Sequence, residues 1–214
     1  MSARLVRFLG LAVMLAIVPF AARAGSHLWR FEQFYSSQDR KVQFIVMREI
    51  GGSQSETNIS EHWYATNSYN QTHTQLLGSD LPFGTANKAF LVGTQSYAAL
   101  AAASPTLPDP DYVLPDGFFD PDGDTIVWWF YQTITIPAGV MPQDGYHAIK
   151  VVNPSIPTYQ TIVNEPINFA GQSGTIPLAV PSQSNASLVF AALLLLASAW
   201  FARRALRLRA ALLR

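Results

Sequence analysis

The chain has 214 residues, 49% of them hydrophobic and 12% aromatic, and its 14 Lys and Arg balance 14 Asp and Glu. It contains no cysteine, which excludes disulfides, thiolate metal sites and cysteine nucleophiles together. The neutral total hides a segregation. Eight of the basic residues lie before position 25 or after position 201, so the middle sets six (Arg30, Arg40, Lys41, Arg48, Lys88, Lys150) against all 14 acids, a net charge of −8. Such a surface lacks the clustered cations that nucleic acid requires.

Residues 1–24 have the anatomy of a secretory signal. Arg4 and Arg7 lead into an apolar run at 8–20, and the small residues Ala22 and Ala24 fit a peptidase that cuts after Ala24. A cut after Ser26 is the alternative, and it would leave His27 at the mature amino terminus.

The body that follows, 25–170, alternates short apolar segments with turns. Strands are expected at 28–35, 41–50, 62–66 and 89–94. A short helix is expected at 97–103, capped by Ser96 and stopped by Pro105. Prolines 105, 108, 110, 115 and 121 exclude long helices there. The strongest period of two covers 125–136, read as one strand with Ile126, Trp128, Phe130, Ile134 and Ile136 on one face and Trp129 and Tyr131 on the other. Strands at 146–152 and 159–163 complete the set. The fold expected is mainly β, an antiparallel β-sandwich with one short helix.

Beyond the body, 171–185 turns to Gly, Ser, Pro and Gln and reads as a polar linker. Residues 186–202 carry no charge over 17 positions, roughly the lower limit for a spanning helix. Five arginines follow in 203–214, and the positive-inside rule keeps them cytoplasmic. Both ends therefore predict one topology, with the bulk of the chain outside the cytoplasm on a single-pass membrane anchor.

Two resemblances add to this reading. Val180-Pro181-Ser182, the apolar stretch and then Arg203-Arg204 resemble the bacterial sorting tails of the PEP-CTERM and IPTL-CTERM kind, although VPSQSN stands where those tails have Pro-Glu-Pro or Ile-Pro-Thr-Leu. The resemblance implies an exosortase-like processing enzyme as a partner. The order VQFIVMREI, LPFGTANKAFLVGTQSYAAL, GFFDPDGDTIVWWF is similar to lamin-tail domains, with Glu49 as the acidic residue after the first strand. That similarity implies an immunoglobulin-like sandwich used for attachment or display.

Candidate chemistry is sparse. Asp120, Asp122 and Asp124 alternate as calcium ligands do, but counting from Asp120 an EF-hand would need Gly at Thr125 and Glu at Tyr131. The competing reading is a turn that opens a strand. His27, were it terminal, could hold copper with His62, His73 or His147, although no ligand spacing supports it. No GxSxG, SxxK, HExxH or phosphate-loop motif occurs, so no catalytic residue is assigned, and a hydrolase with an unrecognised site is the remaining enzyme reading. Trp63, Tyr64, Trp128, Trp129 and Tyr131 are either sheet core or a face that stacks on sugar or polymer, with Trp129 and Tyr131 the ligand candidates. The function expected is a non-catalytic interaction or adhesion module of a bacterial envelope, with an envelope polysaccharide or protein as partner. A calcium- or copper-dependent periplasmic factor is the alternative.

Overall fold

The computed structural model describes residues 26–60, 63–68, 71–153 and 155–178. The signal with Ala22 and Ala24, the motif at Val180 and Pro181, the span and the arginines Arg203 and Arg204 lie outside these residues. Among the described residues no helix is long and apolar enough to cross a membrane.

Among the described residues ten strands and one helix follow in chain order: β1 (Trp29–Ser36), β2 (Gln43–Glu49), β3 (Trp63–Ser68), β4 (Gln71–Leu76), β5 (Ala89–Thr94), α1 (Gln95–Ala103), β6 (Tyr112–Leu114), β7 (Asp124–Trp128), β8 (Gln132–Ile136), β9 (His147–Asn153) and β10 (Thr158–Val163). They form a six-stranded sheet in the order β10-β9-β1-β2-β5-β6 and a four-stranded sheet in the order β4-β3-β7-β8. The expected mainly β, two-sheet architecture is present, with one correction: β5 and β6 pair in parallel. The connection between them is α1 with its Pro-rich exit, a crossover of the kind parallel neighbours need.

The main core lies between the sheets. Trp29, Phe31, Ile45, Met47 and Phe90 of the larger sheet pack into one cluster with Tyr64, Ile126, Trp128 and Ile134 of the smaller. The ring centroids of Phe31 and Tyr64 are 6.1 Å apart, and those of Phe90 and Trp128 6.2 Å. A second cluster covers the outer face of the larger sheet, where Tyr35, Phe44, Val46 and Leu91 meet Tyr97, Leu107 and Ile176. Its central strands are thus buried on both faces, which is why β5 reads AFLVGT with every residue buried and no alternation. Gly93 permits this packing, because a Cβ there would stand 2.5 Å from a ring carbon of Tyr97.

The helix begins two residues earlier than expected. Thr94, not Ser96, is its N-cap, and the Thr94 hydroxyl accepts from the Tyr97 N–H. Ser96 instead donates its N–H and hydroxyl to Asp116.

A bulge at Glu32 shifts the pairing of β1 with β2 by one residue between Phe31 and Gln33. Phe31 and Phe34 therefore both reach the inter-sheet cluster, while Glu32 pairs with Arg48 and Lys150 and Gln33 faces the other way. Gln33 donates to the Glu165 carbonyl and accepts the Glu165 N–H, fixing the chain that returns over the outer face.

That returning chain runs further than its composition suggests. Residues 171–177, read as linker, lie against the body. Asn164 exchanges two hydrogen bonds with Ile176, which is buried. A Cβ on Gly174 would come within 2.1 Å of the Thr106 carbonyl oxygen. A polar, Gly-rich segment can still pack when its backbone approaches closely, as at Gly174, and one apolar side chain, Ile176, anchors it.

Candidate functional site

The segment read as one strand is a hairpin. β7 ends at Trp128, β8 begins at Gln132, and the two pair from Asp124 opposite Ile136 to Trp128 opposite Gln132. Between them the Tyr131 N–H donates to the Trp128 carbonyl at 3.0 Å, closing a tight turn. Trp129 stands in that turn at φ 42°, a left-handed conformation. Hairpin turns ordinarily fill such a position with Gly or Asn, and a bulky side chain there costs roughly 1–3 kcal/mol.

The apex therefore presents Trp-Phe-Tyr where turn chemistry favours small polar residues. Phe130, expected on the inner face, is 72% exposed. Trp129 and Phe130 meet edge to face at 5.1 Å, Phe130 and Tyr131 lie 4.4 Å apart, and Tyr131 leans onto the inter-sheet core. The rings form a wedge, not a flat platform. Below it, the Gln132 amide oxygen accepts the Phe31 N–H at 2.8 Å, tying the apex to the start of β1. Of the other aromatic candidates, Tyr64 and Trp128 are fully buried, and burial pushes the Tyr64 hydroxyl well above its usual pKa. The side chain of Trp63 lies outside the described residues.

The three aspartates sit in the turn that opens β7. Asp124 is buried and spends its carboxylate on backbone N–H groups, Oδ2 on Asp120 and Oδ1 on Thr125. Asp120 Oδ1 accepts the Asp122 N–H at 2.9 Å and pairs with Arg40 at 3.2 Å. Asp122 takes the other arm of Arg40 and the amide of Gln143. A guanidinium, the Gln143 amide and the turn's own N–H groups thus face these carboxylates. Beside them Arg40, Gln71, His73, Phe118, Phe119 and Asp120 line a cavity of about 210 Å³.

The histidines have separate surroundings. The His73 ring nitrogen is 3.0 Å from the Phe118 carbonyl, His27 is 3.6 Å from Glu56, and His147 contacts Asp144 at 2.5 Å. Burial pushes the Asp144 carboxyl up, but the N–H and ring of His147 and the Tyr146 N–H outweigh it and bring the pKa down to about 2. His62 lies outside the described residues. Among the described residues no three His, Asp or Glu side chains are arranged to hold a metal ion.

Phe130 is the site residue that the periodicity misplaced. A three-residue loop preserves odd and even parity, so a hairpin and one long strand bury the same positions, and WWFY carries no Gly, Asn or Pro to mark the turn. Compared with known proteins, the chain matches no family model, no curated protein and no solved structure.

Proposed function

We propose that the chain is a non-catalytic interaction or adhesion module of a bacterial envelope, carried outside the cytoplasm on its C-terminal anchor, with the hairpin apex as its contact point. The body is, in this reading, immunoglobulin-like in kind, as the similarity to lamin-tail domains implies. The parallel β5–β6 pair and α1 are its departures.

One observation carries the proposal: Trp129 holds a left-handed turn position that folding alone would give to glycine, and it supports the exposed ring of Phe130. Strain of this kind persists where the surrounding structure imposes it, and it clusters at functional sites. The placement of the apex also suits display. Gln132 ties it to Phe31, early in β1, whereas the chain leaves the body near Ile176. There Asn164 bridges Ile176 and Tyr146, next to the Gly145 carbonyl that Tyr35 reaches from the other end of β1. Phe31 and Tyr35, four residues apart, stand about 13 Å from each other along the strand.

The test is retention of envelope material by the full chain in detergent, comparing wild type with Phe130→Ser. An exposed aromatic anchor of this kind is worth about 2 kcal/mol in binding, so the variant is expected to lose at least tenfold in affinity with an unchanged unfolding transition. Equal retention by the two proteins would refute the assignment of the apex.

A further inference from the structure

The outer face of the four-stranded sheet is built unlike the rest of the surface. Along β7 and β8 the buried Ile126, Trp128, Ile134 and Ile136 alternate with Thr125, Val127, Thr133 and Thr135, which point outward. The register extends the pattern across the sheet. Thr74 stands opposite Ala65, Ala65 opposite Val127, and Val127 opposite Thr133, so one rung crosses all four strands. On the next rung Thr125 stands opposite Thr135, their hydroxyl oxygens 3.0 Å apart, and on β4 Thr72 lies two positions from Thr74. Sheet geometry spaces Thr72 from Thr74, and Thr133 from Thr135, by about 6.8 Å along their strands, and sets Thr74 and Thr133, at the two edges of the first rung, about 14 Å apart.

Across β3, β4, β7 and β8 the one formally charged residue is Asp124, which is buried. Solvent-facing sheets, and edge strands above all, ordinarily carry Lys or Glu for solubility. Here the edge strand β4 reads QTHTQL, inside a body of net charge −8. The aromatic apex stands at the Trp128 end of this face, and Leu76, 58% exposed, ends β4 at the same side, since Leu76 pairs with Trp63 and Tyr64 with Trp128.

We propose that this face and the apex together bind an uncharged polysaccharide chain. The inference rests on the reading of the apex as a contact point and names its ligand class. Thr72 and Thr74 on β4, Thr125 on β7, and Thr133 and Thr135 on β8 supply both donors and acceptors, which a polymer of repeating hydroxyls can meet without any charge on either side. The exposed ring of Phe130 and the exposed Leu76 at the same end supply the apolar surface on which the C–H face of a sugar rests, the mix of apolar lining and a few placed polar groups typical of ligand sites. Charge selects among partners. A polyanion is repelled by the acidic body, and a cationic peptide finds no exposed acid on β4, β7 or β8 to pair with.

Affinity electrophoresis of the full chain in a polyoxyethylene detergent, through gels containing mixed-linkage β-glucan, an α-glucan or a galactomannan, tests this. Retardation is expected in at least one neutral gel and not in alginate, with little change between about 0.05 and 0.5 M salt, because no charge is engaged. Thr133→Val and Thr74→Val keep strand propensity but remove a hydroxyl, and each is expected to weaken retardation by about threefold to tenfold, while Thr161→Val on β10 leaves it unchanged. Absence of retardation in all three neutral gels overturns the proposal. So does stronger retardation in alginate, binding to phosphatidylcholine vesicles in place of glycan, or self-association that accounts for the shift. If Phe130→Ser loses envelope material while the threonine variants keep it, this inference fails and the apex assignment stands.

Discussion

Glu49 illustrates how one side chain can organise a loop. It ends β2 with its carboxylate buried, accepting the N–H groups of Gly51, Gly52, Ser53 and Asn87 at 2.7 to 3.2 Å. Burial pushes its pKa up, yet the four donors overcome this and hold the carboxyl below its ordinary value. A depressed carboxyl stabilises the fold above the unfolded-state pKa, and that contribution disappears as pH falls through the folded-state value. Glu49→Gln turns one acceptor into a donor facing N–H groups and is expected to cost about 2 kcal/mol at pH 7. Urea unfolding at pH 7 and at pH 3 checks this: the gap between the two proteins should shrink in acid. A constant gap would mean that the charge is not what the nest recognises. The same site was legible in the sequence only as an acid following a strand, because four amides converging on it depend on the path of residues 51–53 and on Asn87 from a distant turn.

At the scale of elements, amphipathic periodicity identified what faces a core and missed what contacts through the backbone. β5 was readable to the residue, since a continuous apolar run ended by Gly and Thr leaves few alternatives. β4, whose six residues include one apolar side chain, was not expected, because its partner β3 recruits it by hydrogen bonding. Residues 171–177 read as linker for the same reason, since Gly174 is held by main-chain approach and Ile176, the buried residue among them, by hydrogen bonds to Asn164 as well as its side chain. Gly174→Ala separates the two descriptions. In a linker glycine the change would be silent, or stabilising by about 0.5 kcal/mol through the unfolded state. Against the Thr106 carbonyl it should destabilise by about 1–3 kcal/mol, measured by thermal unfolding. Among the candidate residues, Trp129 and Tyr131 come together at the apex, whereas Asp120, Asp122 and Asp124 come together as a turn closed by Arg40. Alternation in sequence does not specify which way a carboxylate turns, and the arginine that meets them lies some 80 residues earlier.

For the whole molecule, the parts fit a division of labour. Aromatic residues close the space between the sheets, and α1 with the returning chain closes the outer face of the larger sheet. The smaller sheet keeps a neutral, threonine-rich surface, and the hairpin at its end exposes the ring of Phe130. Local turn preference and tertiary structure agree through most of this fold and conflict at Arg40, whose guanidinium closes the aspartate turn, and at Trp129, whose ring meets the exposed Phe130. The conflict at Trp129 is the kind expected where a residue serves something other than folding. The most direct measurement takes Trp129→Gly in the full chain and determines both its unfolding free energy and its retention of envelope material. Relief of the left-handed strain offsets the lost ring contacts and the greater freedom of the unfolded glycine, so stability should stay within about 1.5 kcal/mol of wild type while retention falls at least tenfold. A variant that binds as wild type does, with its stability unchanged, would contradict the account.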